Sequence, residues 1–492
     1  MGRFRDAWRA LTRTSSSTPR STRSYHAVSA DHALDWRTSR ADAVSEVRAG
    51  LVPLVARSRD LVRNSAYARR ILDAMVNALV ATGIRPTIKT GNLDLDNEVY
   101  RLWDTWGRVC VPGSHLTIYG LQAMLARAWF QDGEALLRFR PRLTADLPGL
   151  PPLKLQPLEA DLLEPDRDAV VGLNRIVSGI EFDAIGELAA YHLLREHPGN
   201  SYPFASASSL DTVRVPASSI IHLFRPERPG QVRGTPLLSP VILALWDLAG
   251  YSEAILTGTR AAASIVATVE GGDEEDPPSG LVAQGEDSVE TPDPVTDSMG
   301  RVVEQLGANT VIYSPPGKKV SVHAPQPPQG VAEYVTACLH EIAAGVGMSY
   351  HVLSGDMSDS SFAQAKLGLL EQARNIAVLR SSVFVPVALD PIWRAFIDAS
   401  ILAGLLPDNP ALYAVRWSDP KVQAADRLEE AKAAKLEMRL ALRSRPEIIE
   451  ADGRDPDDVD REIADDKRRR AELGIVSDGD PSETSEAGQV ND

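Results

Sequence analysis

The chain has 492 residues, 43% of them apolar, and a formal net charge of −15. That composition excludes a wholly disordered chain and leaves room for two to four structural units. The acid excess excludes a protein that grips nucleic acid over its whole surface, because such binding needs Lys and Arg to displace counterions at phosphates.

Residues 1–54 read as a basic arm rich in Ser and Thr, with no core-forming stripe. Residues 1–25 alone carry six Arg against one Asp. The arm has two readings, a contact to DNA or a scaffold partner and a solvated tail. No apolar leader core is visible, so the chain reads as soluble and unsecreted. From Arg59 to Val80 apolar residues recur at helical spacing (Leu61, Tyr67, Ile71, Met75, Leu79), predicting one helix that stops near Gly83. Trp103 and Trp106, three apart, predict core anchors on a second helix. Two cysteines, Cys110 and Cys338, cannot make a disulfide framework and lack metal-ligand spacing, so both read as buried thiols.

Between Glu134 and Phe224 the period shortens. Ala135–Phe139, Leu153–Leu158, Ile176–Phe182, Leu188–Leu194 and Ile220–Phe224 read as strands, with Asp183 to Gly186 as a hairpin turn. The segment from His222 to Pro236 closes the last strand and opens Leu238–Ser264, one long apolar helix of about 40 Å at ~1.5 Å per residue. Its best apolar run, Val241 to Ala249, is interrupted by Asp247 and falls well short of the ~20 residues a membrane span needs, so no membrane partner is expected. An acidic insert follows, with nine acids and no Lys or Arg between Asp273 and Asp297. Thr310–Tyr313 and Lys319–His323 then read as strands joined across Pro315 to Lys318, and Val331–Ala344 as a returning helix. Two helices bracketing a small β-containing excursion imply a protrusion. Toward the C-terminus, Asp419-Pro420 opens a helix reaching about Arg443. Ser444 with Glu447 makes a capping-box pattern, and Asp455-Pro456 opens a helix that stops at Gly474. Residues 475–492 read as an acidic tail.

Catalytic motifs fail on spacing. His340-Glu341 would need a second His where Ala344 stands, so one helix face cannot supply two imidazoles to zinc. Gly317-Lys318 lacks the glycine five residues earlier, where Ile312 stands, and Lys319 replaces the hydroxyl that would hold magnesium. Gly345-Val346-Gly347 follows a helix rather than a strand and reads as a helix stop. No metal, cofactor or nucleophile elbow is expected, and the chain reads as a non-enzyme. Two rival readings stay open: a hydrolase whose scattered acids converge on a site, and a helical DNA-binding module at Asp419 to Gly474.

The blocks Arg63-Asn64, Gly83-Ile84-Arg85-Pro86, Trp103 with Trp106, Asp132-Gly133-Glu134, Gly179-Ile180-Glu181 with Asp183, Gly186 and Tyr191, the His222–Pro236 segment, and Ser354-Gly355-Asp356-Met357-Ser358 resemble, in order and spacing, the lambda-type bacteriophage portal proteins. The resemblance spans about residues 55–475. In its last block this chain has Ser361-Phe362-Ala363-Gln364-Ala365-Lys366 where the family reads Asn-Tyr-Ser-Ser-x-Arg, keeping an aromatic and a cation but losing hydroxyls.

The resemblance implies an α+β portal fold and a ring, a dodecamer, through which double-stranded DNA is packaged and ejected. It assigns 55–237 to a wing, 238–264 and 330–348 to paired stem helices, and 265–329 to a clip. Residues 349–418 become the tunnel loop and remaining wing, and 419–474 a helical crown. Implied partners are DNA in transit, the terminase large subunit, head-completion and connector proteins, major capsid protein and scaffold. The implied location is the portal vertex of a virion, with assembly in the host cytoplasm. Ser354, Asp356, Met357, Ser358, Asp359, Ser360, Ser361 and Lys366 are the implied DNA-channel residues, the acids lowering friction and Lys366 centring the duplex. A helix-surface pair of Lys366 with Glu371 or Asp359 is the competing reading. His222, Arg228, Pro229, Gly230, Gln231, Arg233 and Gly234 form the family motif. Together with Arg225 they have two readings, packing between subunits and local satisfaction of carbonyls in a Pro-rich loop.

Overall fold

The computed structural model describes residues 38–200, 212–263, 266–270, 319–323, 330–356, 362–418, 427–451, 454 and 456–475. The architecture is α+β. Helices α1 (Ala43–Asn64), α2 (Ala66–Val80), α3 (Leu93–Gly107) and α4 (Ile118–Asp132) precede the main strands, with the short strand β1 (Pro86–Ile88) between α2 and α3. The single helix expected from Arg59 to Val80 is two. Ser65 is extended, and its hydroxyl accepts from the Ala68 N–H, so it ends one helix and caps the next. Residues 43–54, expected to belong to the arm, are helical. α1 starts at Ala43 and continues through Pro53, because Leu51, Val55 and Leu61 on one face are buried.

Strands β2 (Glu134–Pro141) and β3 (Leu153–Leu158) form a three-stranded antiparallel sheet with β9 (Ile220–Phe224), in the order β3-β2-β9. A five-stranded antiparallel sheet holds β4 (Ala169–Val171), β5 (Asn174–Val177), β6 (Ile180–Phe182), β7 (Leu188–Leu194) and β8 (Thr212–Pro216) in sequence order. The expected strand Ile176–Phe182 is therefore a hairpin. Ser178 and Gly179 both take positive φ, 49° and 79°, the geometry of a tight two-residue turn whose twist matches antiparallel strands.

Period two along β2 decides the layering. Ala135 and Leu137 face the main core with α1 to α4, while Leu136 faces a second core with Ile180, Tyr191, Leu193, Val215 and Ile220. The main core centres on Trp103, Trp106, Trp393 and Phe396, whose rings lie 5.0–5.5 Å apart. Both expected tryptophan anchors hold that place. Cys110 is buried and its thiol is pushed up to about 12 by burial, whereas Cys338 is only half-buried.

The long helix α5 runs from Ile242 to Ala263 behind a single 3-10 turn at Ser239–Val241. It is shorter than expected, about 33 Å at 1.5 Å per residue. β10 (Val266–Glu270) pairs antiparallel with β11 (Lys319–His323) over five residue pairs. The partner expected for Lys319–His323, Thr310–Tyr313, lies outside the described residues. α6 (Val331–Gly345) then returns antiparallel to α5. A Cβ on Gly345, at its end, would come within 2.5 Å of Val241, and Tyr334, at its start, packs on Tyr251 with ring centroids 4.5 Å apart.

A short helix α7 (Tyr350–Ser354) follows, then α8 (Phe362–Leu379), a π-helical segment Arg380–Leu389 containing Pro386, and α9 (Asp390–Leu402). β12 (Val415–Trp417) pairs with β1, joining distant parts of the chain. Two helical stretches, Ser239–Arg260 and Lys366–Leu402, are long and apolar enough by length and composition alone to cross a membrane. Asp247 interrupts the apolar run of the first, yet the residues on either side of it keep the stretch apolar overall. Last come α10 (Arg427–Arg439), α11 (Arg445–Ala451) and α12 (Pro456–Leu473). The Ser444–Glu447 capping box is formed, with N–H to side-chain distances of 3.0 and 3.3 Å. The first of these helices stops at Arg439 rather than Arg443, because Ala441 turns to φ 56°. Asp419-Pro420 lies outside the described residues.

Candidate functional site

The His222–Pro236 segment is built around a carboxylate that motif reading left aside, Glu134. Register on β2 sends Glu134 to the same side as Leu136, and β9 sends His222 there too, since Leu136 pairs opposite His222. Glu134 is 1% exposed. Its Oε2 receives His222 Nε2 at 2.9 Å and the Gly234 N–H at 3.1 Å, and its Oε1 receives Arg233 Nε at 2.8 Å. Burial alone would raise the Glu134 pKa. The Arg233 charge, the His222 contact and the Arg233 hydrogen bonds outweigh it and hold the carboxyl at about 2.

Arg233, 5% exposed, spends a further N–H on the Leu163 carbonyl at 3.0 Å. Gln231 braces the loop, accepting from the Glu227 and Arg228 N–H groups at 2.9 and 3.2 Å and donating to the Arg233 carbonyl at 2.8 Å. The backbones touch as well. Gly133, at φ 90°, ends α4, and a Cβ there would lie 2.3 Å from the Thr235 carbonyl carbon; one on Gly234 would lie 2.0 Å from the Gly133 oxygen. Arg59 on α1 extends the network to Asp132 at 2.8 Å and to Asp161. The loop that opens α5 is thus fixed to the end of α4 and to the three-stranded sheet by a buried ion pair, with Arg59 of α1 bonded beside it to Asp132.

The motif residues divide accordingly. His222, Gln231, Arg233 and Gly234 are buried and satisfied within the chain, while Arg225, Arg228, Pro229 and Gly230 are exposed. Arg228 pairs with Glu46 and donates to the Ala41 carbonyl at 3.3 Å. A second cluster of the same chemistry sits in the five-stranded sheet. Glu181 accepts from Arg214 Nε at 2.7 Å and Asn174 Nδ2 at 2.6 Å, with His192 Nε2 at 2.9 Å. The Arg214 bonds hold Glu181 at about 2 against the effect of burial.

At the same end of the paired helices, where α6 returns to the body, the α6–α7 turn is shaped by Gly347 at φ 68° and Gly355 at φ 73°. The Gly345-Val346-Gly347 run is a helix stop, as its spacing implied. His340 stacks on Tyr350 with centroids 4.0 Å apart. The Ser354 hydroxyl donates to the Tyr350 carbonyl at 3.0 Å and accepts the Asp356 N–H at 3.1 Å, and His351 Nδ1 lies 3.0 Å from the Asp356 carbonyl. Asp356 and Lys366 are exposed; Met357, Ser358, Asp359, Ser360 and Ser361 lie outside the described residues. A cleft of about 840 Å³ separates this turn and α8 from the motif loop, lined by Arg225, Thr235, Gly347, Asn375 and Val378 among others.

One group of potential metal ligands stands among the described residues: Glu159, Asp161 and His197 hold their ligand atoms within 4.8 Å of one another. His197 already contacts Glu159 at 2.9 Å, and Arg59 supplies positive charge to Asp161.

A family model described as phage portal protein, lambda family, matches residues 30–380. A curated relative, the "Probable portal protein" of Halomonas phage phiHAP-1, is 25% identical over 460 residues, 89% of this chain and 84% of that protein. Among solved structures, the neck of an empty GTA particle computed with C6 symmetry aligns at 15% identity and a TM-score of 0.44, covering 83% of this chain and 94% of that one. An HK97 family phage portal protein from Corynebacterium diphtheriae aligns at 12% identity and a TM-score of 0.32, covering 78% and 95%. With well over half of its length matched by that one family model, the chain belongs to the lambda family of phage portal proteins.

Proposed function

We propose that twelve copies of this chain close into a ring at one capsid vertex and conduct double-stranded DNA without catalysing any reaction themselves. The observation that carries the reading is the antiparallel pair α5 and α6. It leaves the body at the Glu134–Arg233 cluster, runs out about 33 Å, turns through β10 and β11, and returns to the Ser349–Asp356 turn. Such a pair, repeated around an axis, builds a wall from identical rods. The two sheets with α1 to α4 form the wing and residues 265–329 the clip. Residues 349–418 form the tunnel loop and remaining wing, and 419–474 the crown.

The clip is the docking place for the terminase large subunit during packaging and for head-completion proteins afterwards. Major capsid protein and scaffold meet the ring's outer surface. A ring of twelve sums to a formal charge of about −180, so its surface holds a duplex weakly. Weak holding suits a conduit. Asp356 and Asp359 place acids near the constriction and Lys366 a cationic ring close by. Negative-stain imaging of purified protein tests the reading: rings with a central hole are expected, and a compact monomer at high concentration would overturn it.

A further inference from the structure

We infer that the outer face of α5 in one copy docks on the outer face of α8 in the next; the inference rests on the ring reading above. Both helices are buried along one side only. On α5, Ile242, Leu245 and Leu248 are buried, while Leu243 is 70% and Trp246 64% exposed. On α8, Gln372 and Ile376 are buried, while Leu367 is 68%, Leu370 57% and Val378 56% exposed. Large apolar side chains at spacings of three and four, on a face that no described residue of their own chain covers, mark a contact surface.

The occupant is a second copy for two reasons. A ring that closes by rotation joins unlike faces, so each chain must carry two different sticky surfaces, and these helices supply two. Their charges also match. The exposed face of α5 carries Asp247 and Glu253, with Arg260 farther along, a net acid, whereas that of α8 carries Lys366 and Arg374 around Glu371, a net cation. Like faces would set Asp247 against Asp247; unlike faces set acids against cations, which fixes the direction of the ring. A lipid surface fits less well, because Asp247 and Glu253 would have to leave water.

Cysteine cross-linking tests the contact. In a Cys338→Ser background, where the remaining Cys110 is buried, Trp246→Cys and Leu370→Cys are combined and assembled rings are mildly oxidised. A ladder of covalent multimers under denaturing conditions is expected, with none from either single variant. Rings that give no ladder, or a disulfide confined to one chain, would overturn the contact while leaving the ring intact. Absence of rings in the Cys338→Ser parent removes the ring reading, and this contact with it. As a second measurement, Asp247→Lys and Arg374→Glu are each expected to lower ring yield on the order of tenfold, and their combination to restore it. Monomers that instead float with neutral phosphatidylcholine vesicles would assign these faces to a membrane.

Discussion

Glu134 and Arg233, 99 residues apart in sequence, meet as a buried ion pair with Nε 2.8 Å from Oε1, and through it the first residue of β2 holds the loop that starts α5. Neither charge has access to water that could replace the other. Arg233→Ala is therefore expected to destabilise the folded monomer by about 3–5 kcal/mol, because it strands a buried carboxylate. Arg233→Lys should recover only part of this, since an ammonium cannot reproduce the guanidinium's fork. Denaturant unfolding of the variants checks both values, and a loss below about 1 kcal/mol for Arg233→Ala would contradict the assignment.

Acid should act through the same carboxylate. Glu134 sits at about 2 in the folded chain, below its ordinary 4.5. A depressed carboxyl contributes stability that is fully present above the unfolded value and is lost as pH falls from about 4.5 toward 2. Glu181 acts in the same direction over the same window. Glu134→Gln should make stability at pH 7 lower and its decline below pH 4.5 shallower. Melting temperatures measured every half pH unit would decide this; an unchanged slope counts against Glu134.

Two glycines with nearly equal φ should respond differently to alanine. At Gly133 the new Cβ would strike the Thr235 backbone at 2.3 Å, whereas at Gly186 nothing lies within 4 Å. Gly186→Ala should cost only the backbone strain, about 1–2 kcal/mol. Gly133→Ala should displace the start of α5 and cost several times as much. Thermal melts of the two variants, with equal losses as the contrary result, test whether close approach decides the cost.

Lys366 offers a test on DNA. It is exposed at the start of α8, beyond the Ser354–Ser361 segment. If it centres the duplex, the rings that Lys366→Glu still forms should package a shorter or less stably held genome. Packaged DNA length and retention both at wild-type values would remove Lys366 from the mechanism.

Much of the framework was legible along the chain. Leu153–Leu158, Leu188–Leu194 and Ile220–Phe224 stand where period two put them, and the helix Val331–Ala344 is extended by one residue. The Ser444–Glu447 cap could be read because both partners lie within one turn. The break at Ser65 was harder, because apolar spacing continues across it and the break lives in a single extended residue. The hairpin inside Ile176–Phe182 was hidden for a similar reason, since Ser178 adopts a positive φ that its residue type does not announce. β1 and β12 were missed because three-residue strands have no period, and their pairing spans most of the chain.

The functional cluster divides the same way. Sequence flagged His222, Gln231, Arg233 and Gly234 as a unit, and separately flagged Asp132-Gly133-Glu134, but nothing in one dimension says that the second block supplies the anion for the first. What the sequence by itself determined was the kind and order of the elements and the family, because periodicity, caps and motif spacing act over a few residues. Only the tertiary structure decided which charges neutralise one another and which apolar helix faces the described residues leave exposed. Burial and Coulomb energy depend on distance in space, and β2 and β9 bring Glu134, His222 and Arg233 together only once the sheets have packed.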